Sequence, residues 1–405
     1  MLEVFIYIIS VFLFVYLAYF VIMAFGVFRK REIKLKFKKN NFFAILVAAR
    51  NEELVIGNLI DSLKRQNYPK DSYEIFVIVN NCTDNTKKVA KDAGATVIDC
   101  NEKVKSKGDV LKFAFEKLKN NKEIDAYVIF DADNIVHSEF LKKMNDILNS
   151  GYSVAQGFRD SKNVSDNWLS SSYTILYYIQ SLFINRARFN LGKSSFLNGT
   201  GFMVKKEVID KHGFNPVTLT EDIEFTAMCA VNDEKIAFVE DAITYDEQVV
   251  KFRDSLKQRK RWSFGTIQCL KHYGLSLVKK GIKDKKLECL DIVLFYFSII
   301  LQIISVFIPI LTLIFLIFNF QKISFNFVFI CICFTFAFYI IGVLFRMMII
   351  KKCGKKIKDM LGGILWFDIF LFSWIPVSFL CLFKRDCSWD QIKHDRNIRA
   401  GDLEF

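Results

Sequence analysis

Histidine is scarce in this sequence: four residues in 405, none paired at ligand spacing. The ten cysteines are scattered, with neither a pair of CxxC motifs nor the spacing of a disulfide framework. These absences leave no zinc site and point to reduced thiols in a reducing compartment. The chain start also lacks the marks of a cleaved leader. Its apolar segment has no basic start, is too long, and carries no small-x-small site before its basic flank, so it reads as a retained anchor. The formal charge of +13 gives no basis for nucleic-acid binding, because the excess sits in three runs that border apolar segments: RKREIKLKFKKN, KKGIKDKK and KKCGKKIK.

What is abundant is apolar surface. Hydrophobic residues make up 52% of the chain and there are 43 Phe, too many for ordinary soluble cores. Residues 4–28, 292–321 and 323–345 are uncharged, each run at or above the ~20 residues a spanning helix needs. The organisation expected is a transmembrane anchor at 1–28, a cytoplasmic domain at 40–275, two transmembrane helices within 287–350, and a tail at 384–405. Segment 361–383 contains Asp368 and Pro376 and reads as a span, a re-entrant turn or an interfacial helix. The positive-inside rule puts the N-terminus outside the plasma membrane and residues from about 29 to 290 in the cytoplasm. The tail belongs there too. Lys355, Lys356 and Lys358 on one side of 361–383, and Lys384 and Arg385 on the other, disfavour moving either end across. Pro376 suits a bent helix, and Trp389 and His394 would then help order the region around residue 260.

Between the anchor and the next span, strand and helix patterns alternate. FFAILVAA leads into ELVIGNLIDSL, whose Val55, Leu59 and Leu63 share a helical face. YEIFVIVN, ATVIDC, a helix from about Gly108 and AYVIF follow. This predicts an α/β domain with a Rossmann-like, mostly parallel sheet covered on both faces and a ligand edge at the strands' carboxyl ends. AARNEE, NNCTDNT and DADN each follow a strand and should converge on that edge. Asp131 and Asp133 there suit Mg²⁺ or Mn²⁺ shared with phosphate oxygens; the plainer alternative is an Asx-type turn ending a strand. The apolar stripe through 165–189 either lies on the membrane or covers the sheet. Gly199 and Gly201 permit either a ligand's close approach or a tight turn. DSLKQRKRWSFG reads as a basic amphipathic helix running toward the bilayer.

DAD, TED and QRKRW, in that order between apolar spans, resemble the membrane-bound family 2 glycosyltransferases, which include cellulose, chitin, hyaluronan and poly-N-acetylglucosamine synthases. SWDQIKH looks like a segment found in bacterial relatives. The resemblance implies a GT-A domain and inverting transfer from a UDP-sugar. Carried onto this chain, it puts Ala49, Glu52 and Asp84 at uridine, Lys107 with Gly108 on the nucleotide side, and Asp131 near ribose and diphosphate. It makes Asp133 the metal ligand, Asp222 of the Thr220–Glu221–Asp222 motif the base, and Gln258, Arg261 and Trp262 an element closing over diphosphate and acceptor.

The chemistry agrees with these residue types. A leaving diphosphate is neutralised by a divalent cation and a guanidinium fork, and inversion in one displacement needs a single base. Asp222 also fits an ordinary first-turn acid, Trp262 a membrane-interface residue, and Arg259 and Lys260 contacts to anionic headgroups. The leading expectation is extension of a cell-surface polysaccharide. Its rival is transfer of one sugar to a membrane lipid such as ceramide or diacylglycerol. Three or four helices make a thin channel for a polymer, which leaves room for an oligomer or an accessory export partner. A glycosidase needs carboxylates about 5 to 10 Å apart, which acids two residues apart on one strand end do not suit. A transporter would show paired repeats, and the spans show none.

Overall fold

The computed structural model describes residues 2–318, 325–384 and 396–403. After α1 (Leu2–Ala24) comes β1 (Phe43–Ala49), whose run FAILVAA is buried except at half-buried Ala48. A strand apolar on both faces belongs in the middle of a covered sheet. β1 pairs in parallel with β2 (Tyr73–Val79), and β2 with β3 (Thr96–Asp99); on its other side β1 pairs in parallel with β4 (Ala126–Asp131). The crossovers are α2 (Ile56–Lys64), α3 (Thr86–Asp92) and α4 (Lys107–Leu118). α4 starts sharply because Ser106 and Asp109 form a capping box, which sets Lys107 in its first turn.

The second half of the sheet is mixed. β5 (Ile135–Val136), α5 (Phe140–Asn149), β6 (Val154–Ser161), α6 (Trp168–Ile179), a π-helical stretch at Gln180–Arg186, and α7 (Ala187–Asn190) are followed by β7 (Phe202–Lys205), α8 (Lys206–His212), α9 (Glu221–Val231) and β8 (Ile236–Asp246). The strand order is β3-β2-β1-β4-β7-β6-β8-β5, with β7 antiparallel to β4 and β6, and β5 antiparallel to β8. One face packs through Ile45, Val47, Phe130, Phe140 and Met144, the other through Leu46, Ile78, Leu111, Phe115 and Ile129.

The segment read as either membrane-lying or sheet-covering sits between the sheet and the apolar helices. Tyr178 and Leu182 join the sheet's core, while Leu169, Tyr173 and Ile175 pack with Ile364, Phe367 and Phe370. The remaining helices are α10 (Phe252–Lys283), α11 (Leu287–Phe318), α12 (Phe325–Lys352), α13 (Leu361–Phe372) and α14 (Trp374–Leu382). Four stretches, Tyr7–Phe28, Leu287–Leu311, Val328–Lys352 and Ile357–Leu382, are long and apolar enough to cross a membrane. The last is not one straight helix. α13 has 12 residues and α14 has 9, each shorter than the ~20 a span requires, and the chain breaks between them at Ser373. The break falls just before Pro376, which has no amide to donate to the Phe372 carbonyl and crowds it, in keeping with the bend expected there. α13 lies along α6 and α14 along α10.

Polar ties hold this layer to the domain. Arg346 of α12 donates through Nη1 to both oxygens of Asp368 of α13 at 2.9 Å, a tie between two of the apolar helices. Asp291 of α11 pairs with Arg188 and accepts from Tyr19 of α1 at 2.7 Å. The end of the chain returns to the α/β domain: Arg396 pairs with Asp166 at 2.8 Å, Asn397 accepts from Asn58 at 2.8 Å, and Ala400 packs with Ile135 and Tyr245. Trp389 and His394 lie outside the described residues. In a variant keeping Cys387 as its only cysteine, a membrane-impermeant thiol reagent is expected to leave intact cells unlabelled and to react after permeabilisation; labelling of intact cells would put the tail on the other side from the domain.

Candidate active site

DADN forms a hydrogen-bonded turn at the end of β4, but the carboxylates are not what closes it. Asn134 accepts from the Asp131 amide at 3.1 Å, its own amide donates to the Asp131 carbonyl at 3.1 Å, and its side chain donates to Asp246 at 3.0 Å. Thr200 also accepts from the Asp131 amide, at 3.0 Å. The Asx-turn function thus falls to Asn134, and both Asp131 and Asp133 line a cavity of about 600 Å³. Asp131 Oδ1 receives Lys107 Nζ at 2.5 Å, and the same ammonium donates to the Gly199 carbonyl at 2.6 Å. Asp133 is buried and accepts from the Glu247 amide at 2.9 Å.

The TED motif meets the same cavity. Glu221 and Asp222 open α9, and Glu221 lies 3.9 Å from Lys107. Burial pushes the Glu221 carboxyl up to about 7 against the pull of Lys107, and the neighbouring Asp222 pushes in the same direction. Burial also raises Asp222, while the Ile223 amide, Lys107 and Arg159 work against the shift. Burial disfavours the charge of Lys107, but Asp131 and Glu221 outweigh it and hold the ammonium protonated above its ordinary value. Gly108, next in α4, does not line the cavity. A Cβ there would stand 2.6 Å from Pro216 and 3.0 Å from the Glu221 side chain, so glycine lets α4 close on the TED loop.

α10 supplies the third wall. Gly265 lets it reach α9, since a Cβ there would stand 2.4 Å from the Thr220 hydroxyl. Gln258, Arg261 and Trp262 then face the cavity. The Arg261 side chain makes no hydrogen bond, ion pair or ring contact among the described residues, and Gln258 Oε1 and both side-chain polar atoms of Asn198 have no partner there. A free guanidinium fork beside unsatisfied amides suits a polar, anionic ligand. Arg259, in contrast, faces no lipid: it is fully buried, correcting the expectation of headgroup contact.

The structure therefore brings Ala49, Glu52, Lys107, Asp131, Asp133, Thr220, Glu221, Asp222, Gln258, Arg261 and Trp262 to one cavity. Asp84 stands behind it. Burial works against its charge, yet bonds from Thr86 and the Glu53 amide hold its carboxyl below the ordinary range and fasten two of the predicted loops together. Gly199 lines the cavity and Gly201 does not. Sequence reasoning missed Arg159, Asp246, Asn198 and Trp374. Arg159 pairs with buried Asp246, donates to the Asn198 carbonyl at 2.7 Å and lies over the Tyr177 ring at 4.0 Å. Burial pushes Asp246 up to about 7 despite Arg159, with Asp133 adding to the rise.

Among the described residues no three His, Cys, Asp or Glu side chains gather as a metal cage. Two carboxylates beside further buried acids nevertheless fit Mg²⁺ or Mn²⁺, which bind through one or two carboxylates and complete their shell from phosphates and water.

A sheet of this order with an acidic, cation-bordered cavity at its carboxyl edge defines a GT-A-type transferase. The chain belongs to glycosyltransferase family 2: the family model described as "Glycosyltransferase like family 2" matches residues 40–265. It is 25% identical over 250 residues to the beta-monoglucosyldiacylglycerol synthase of Nostoc sp., covering 60% of this chain and 53% of that one. To the probable glycosyltransferase YdaM of Bacillus subtilis it is 23% identical over 246 residues, covering 55% and 54%. The chain thus spans about half the length of these relatives. Its fold is similar to that of the mannosyltransferase PcManGT from Pyrobaculum calidifontis in complex with GDP-Man and Mn²⁺, with a TM-score of 0.61 at 14% identity, covering 95% of this chain and 100% of that one. Arg261→Lys is expected to lower kcat/KM for nucleotide release by about 100-fold, because a point charge does not reproduce a two-pronged grip; near-normal turnover would remove Arg261 from the diphosphate.

Proposed function

We propose that the protein transfers a single sugar, with inversion, from a UDP-sugar to the hydroxyl of an uncharged membrane lipid at the cytoplasmic face of the membrane. The observation that carries this reading is the change of character along one cavity. The part against the sheet, α9 and α10 holds charged groups, whereas α6, the π stretch, α11, α13 and α14 contribute mainly apolar residues such as Leu176, Ile184, Phe295, Ile299 and Leu371, with the uncharged polar Gln180, Ser298 and Gln302 and no charged side chain. A lipid phosphate would find no cation in that apolar part. A neutral hydroxyl at the end of hydrocarbon fits both parts at once. The beta-monoglucosyldiacylglycerol synthases among the relatives support the same acceptor class.

In this reading Ala49 and Glu52 border the nucleoside, and Lys107 and Arg261 draw the diphosphate. Asp131 and Asp133 would hold Mg²⁺ or Mn²⁺, and the metal would supply charge neutralisation to the diphosphate. Asp222 takes the proton of the acceptor hydroxyl as its oxygen bonds to the anomeric carbon and the bond from that carbon to the diphosphate oxygen breaks. Burial makes Asp222 a stronger base than a surface aspartate, which suits that step.

A second reading, extension of a cell-surface polysaccharide, rests on Trp262 and Trp374, whose indoles flank the cavity with centroids 5.7 Å apart and offer faces to sugars. Product size separates the two. Purified protein in phosphatidylcholine vesicles containing diacylglycerol, given a panel of UDP-sugars with Mn²⁺ or Mg²⁺, is expected to release UDP and yield lipid heavier by one sugar. A ladder of masses would favour the polymer, and turnover with GDP-sugars added in a parallel assay but with none of the UDP-sugars would overturn the donor.

A further inference from the structure

We propose that Trp374 contacts the acceptor and that Arg259 is the residue that positions it. The assignment rests on reading the cavity as the place where donor and lipid acceptor meet. Neither residue belongs to the set that the resemblance implies for the site. Arg259 lies two residues before Arg261 in QRKRW, yet it points away from the cavity and is 0% exposed. Its Nη1 donates to the Phe370 carbonyl at 2.9 Å and to Ser373 Oγ at 2.8 Å. The guanidinium lies over the rings of Phe370 at 4.9 Å, Phe252 at 5.6 Å and Trp374 at 6.0 Å.

The place of this contact explains a buried cation. Phe370 is in the last turn of α13, where carbonyls lose their helical partners and a positive charge is favourable. Arg259 satisfies that helix end where the chain breaks, and the next helix begins with Trp374. Trp374 is then fastened to α10 a second time: its Nε1 donates to Ser263 Oγ at 2.8 Å, and Ser263 bonds Ser378 at 3.0 Å. With the ring nitrogen satisfied, the indole offers an apolar face to the cavity that it lines. Trp262 stands beside it at 43°, so the two indoles make a tilted pair. They share the cavity lining with one charged α10 residue, Arg261, and with the apolar Leu371 and Phe295. An uncharged, C–H-rich stem next to the reacting hydroxyl is the group such a pair would grip.

Initial rates of transfer to diacylglycerol in phosphatidylcholine vesicles test this, with lipid fraction and donor varied separately. Trp374→Ala is expected to raise the acceptor KM about tenfold while the donor KM stays within about twofold, the scale of one aromatic contact. Trp374→Phe should restore most of it. Arg259→Lys should raise the same acceptor KM, and Ser373→Ala, which removes one of the two groups accepting from Nη1, should move it in the same direction even if the Arg259 variant does not fold. An unchanged acceptor KM in folded Trp374→Ala, or donor and acceptor KM rising together, would overturn the assignment and leave the lipid reading standing. Absence of wild-type transfer to the lipid would overturn the lipid reading and this assignment with it.

Discussion

Lys107 joins the chain segments from which the site is made. Its ammonium bonds Asp131 at the end of β4 and the Gly199 carbonyl in the loop before β7, and it stands near Glu221 at the start of α9. Each of these groups is awkward alone: a carboxylate at the mouth of an apolar strand, a carbonyl in a loop, an acid buried at a helix start. One buried cation makes all three tolerable, and it sits in the first turn of α4 because the Ser106–Asp109 box starts the helix there. The acids still exceed the cations around the cavity, where burial and mutual repulsion push Glu221 and Asp246 up to about 7. That excess is what makes the site receptive to a divalent cation and to the diphosphate such a cation accompanies.

The first half of the domain was legible in the sequence. Strands β1, β2 and β4 are largely apolar runs joined through helices to each other and to the short edge strand β3, and local patterns of that kind report themselves without knowledge of distant partners. The meeting of AARNEE, NNCTDNT and DADN at one edge followed from the edge rule for parallel sheets, whereas the TED and α10 motifs were placed at the same site only by the family resemblance. The mixed half was not legible, because β6, β7 and β8 pair across long sequence separations and their direction is set by tertiary packing. For the same reason Arg159 and Asp246, 87 positions apart, gave no local sign of their pairing.

The least legible part was residues 361–383, whose composition is that of a span. Its break falls at Ser373, just before Pro376, which cannot donate to the Phe372 carbonyl, and Arg259 of another helix donates to the Phe370 carbonyl and to Ser373 Oγ at that point. Arg259 was itself hidden among neighbours that read as a basic face. Ionic ties recur along the layer: Arg346 with Asp368 joins two apolar helices to each other, and Arg188 with buried Asp291 fixes α11 to the α/β domain, where apolar packing alone has little directional preference.

The central claim is that the charged nucleotide side and an apolar lipid entrance form one cavity. A photoactivatable diacylglycerol, incorporated in vesicles with the protein and mapped by peptide sequencing after irradiation, tests it most directly. Labels on the cavity-facing Phe295, Ile299, Leu371 or Trp374, suppressed when competing unlabelled diacylglycerol is added, are the predicted result. Labels confined to the outward faces of α1 and α12, and insensitive to competitor, would contradict it.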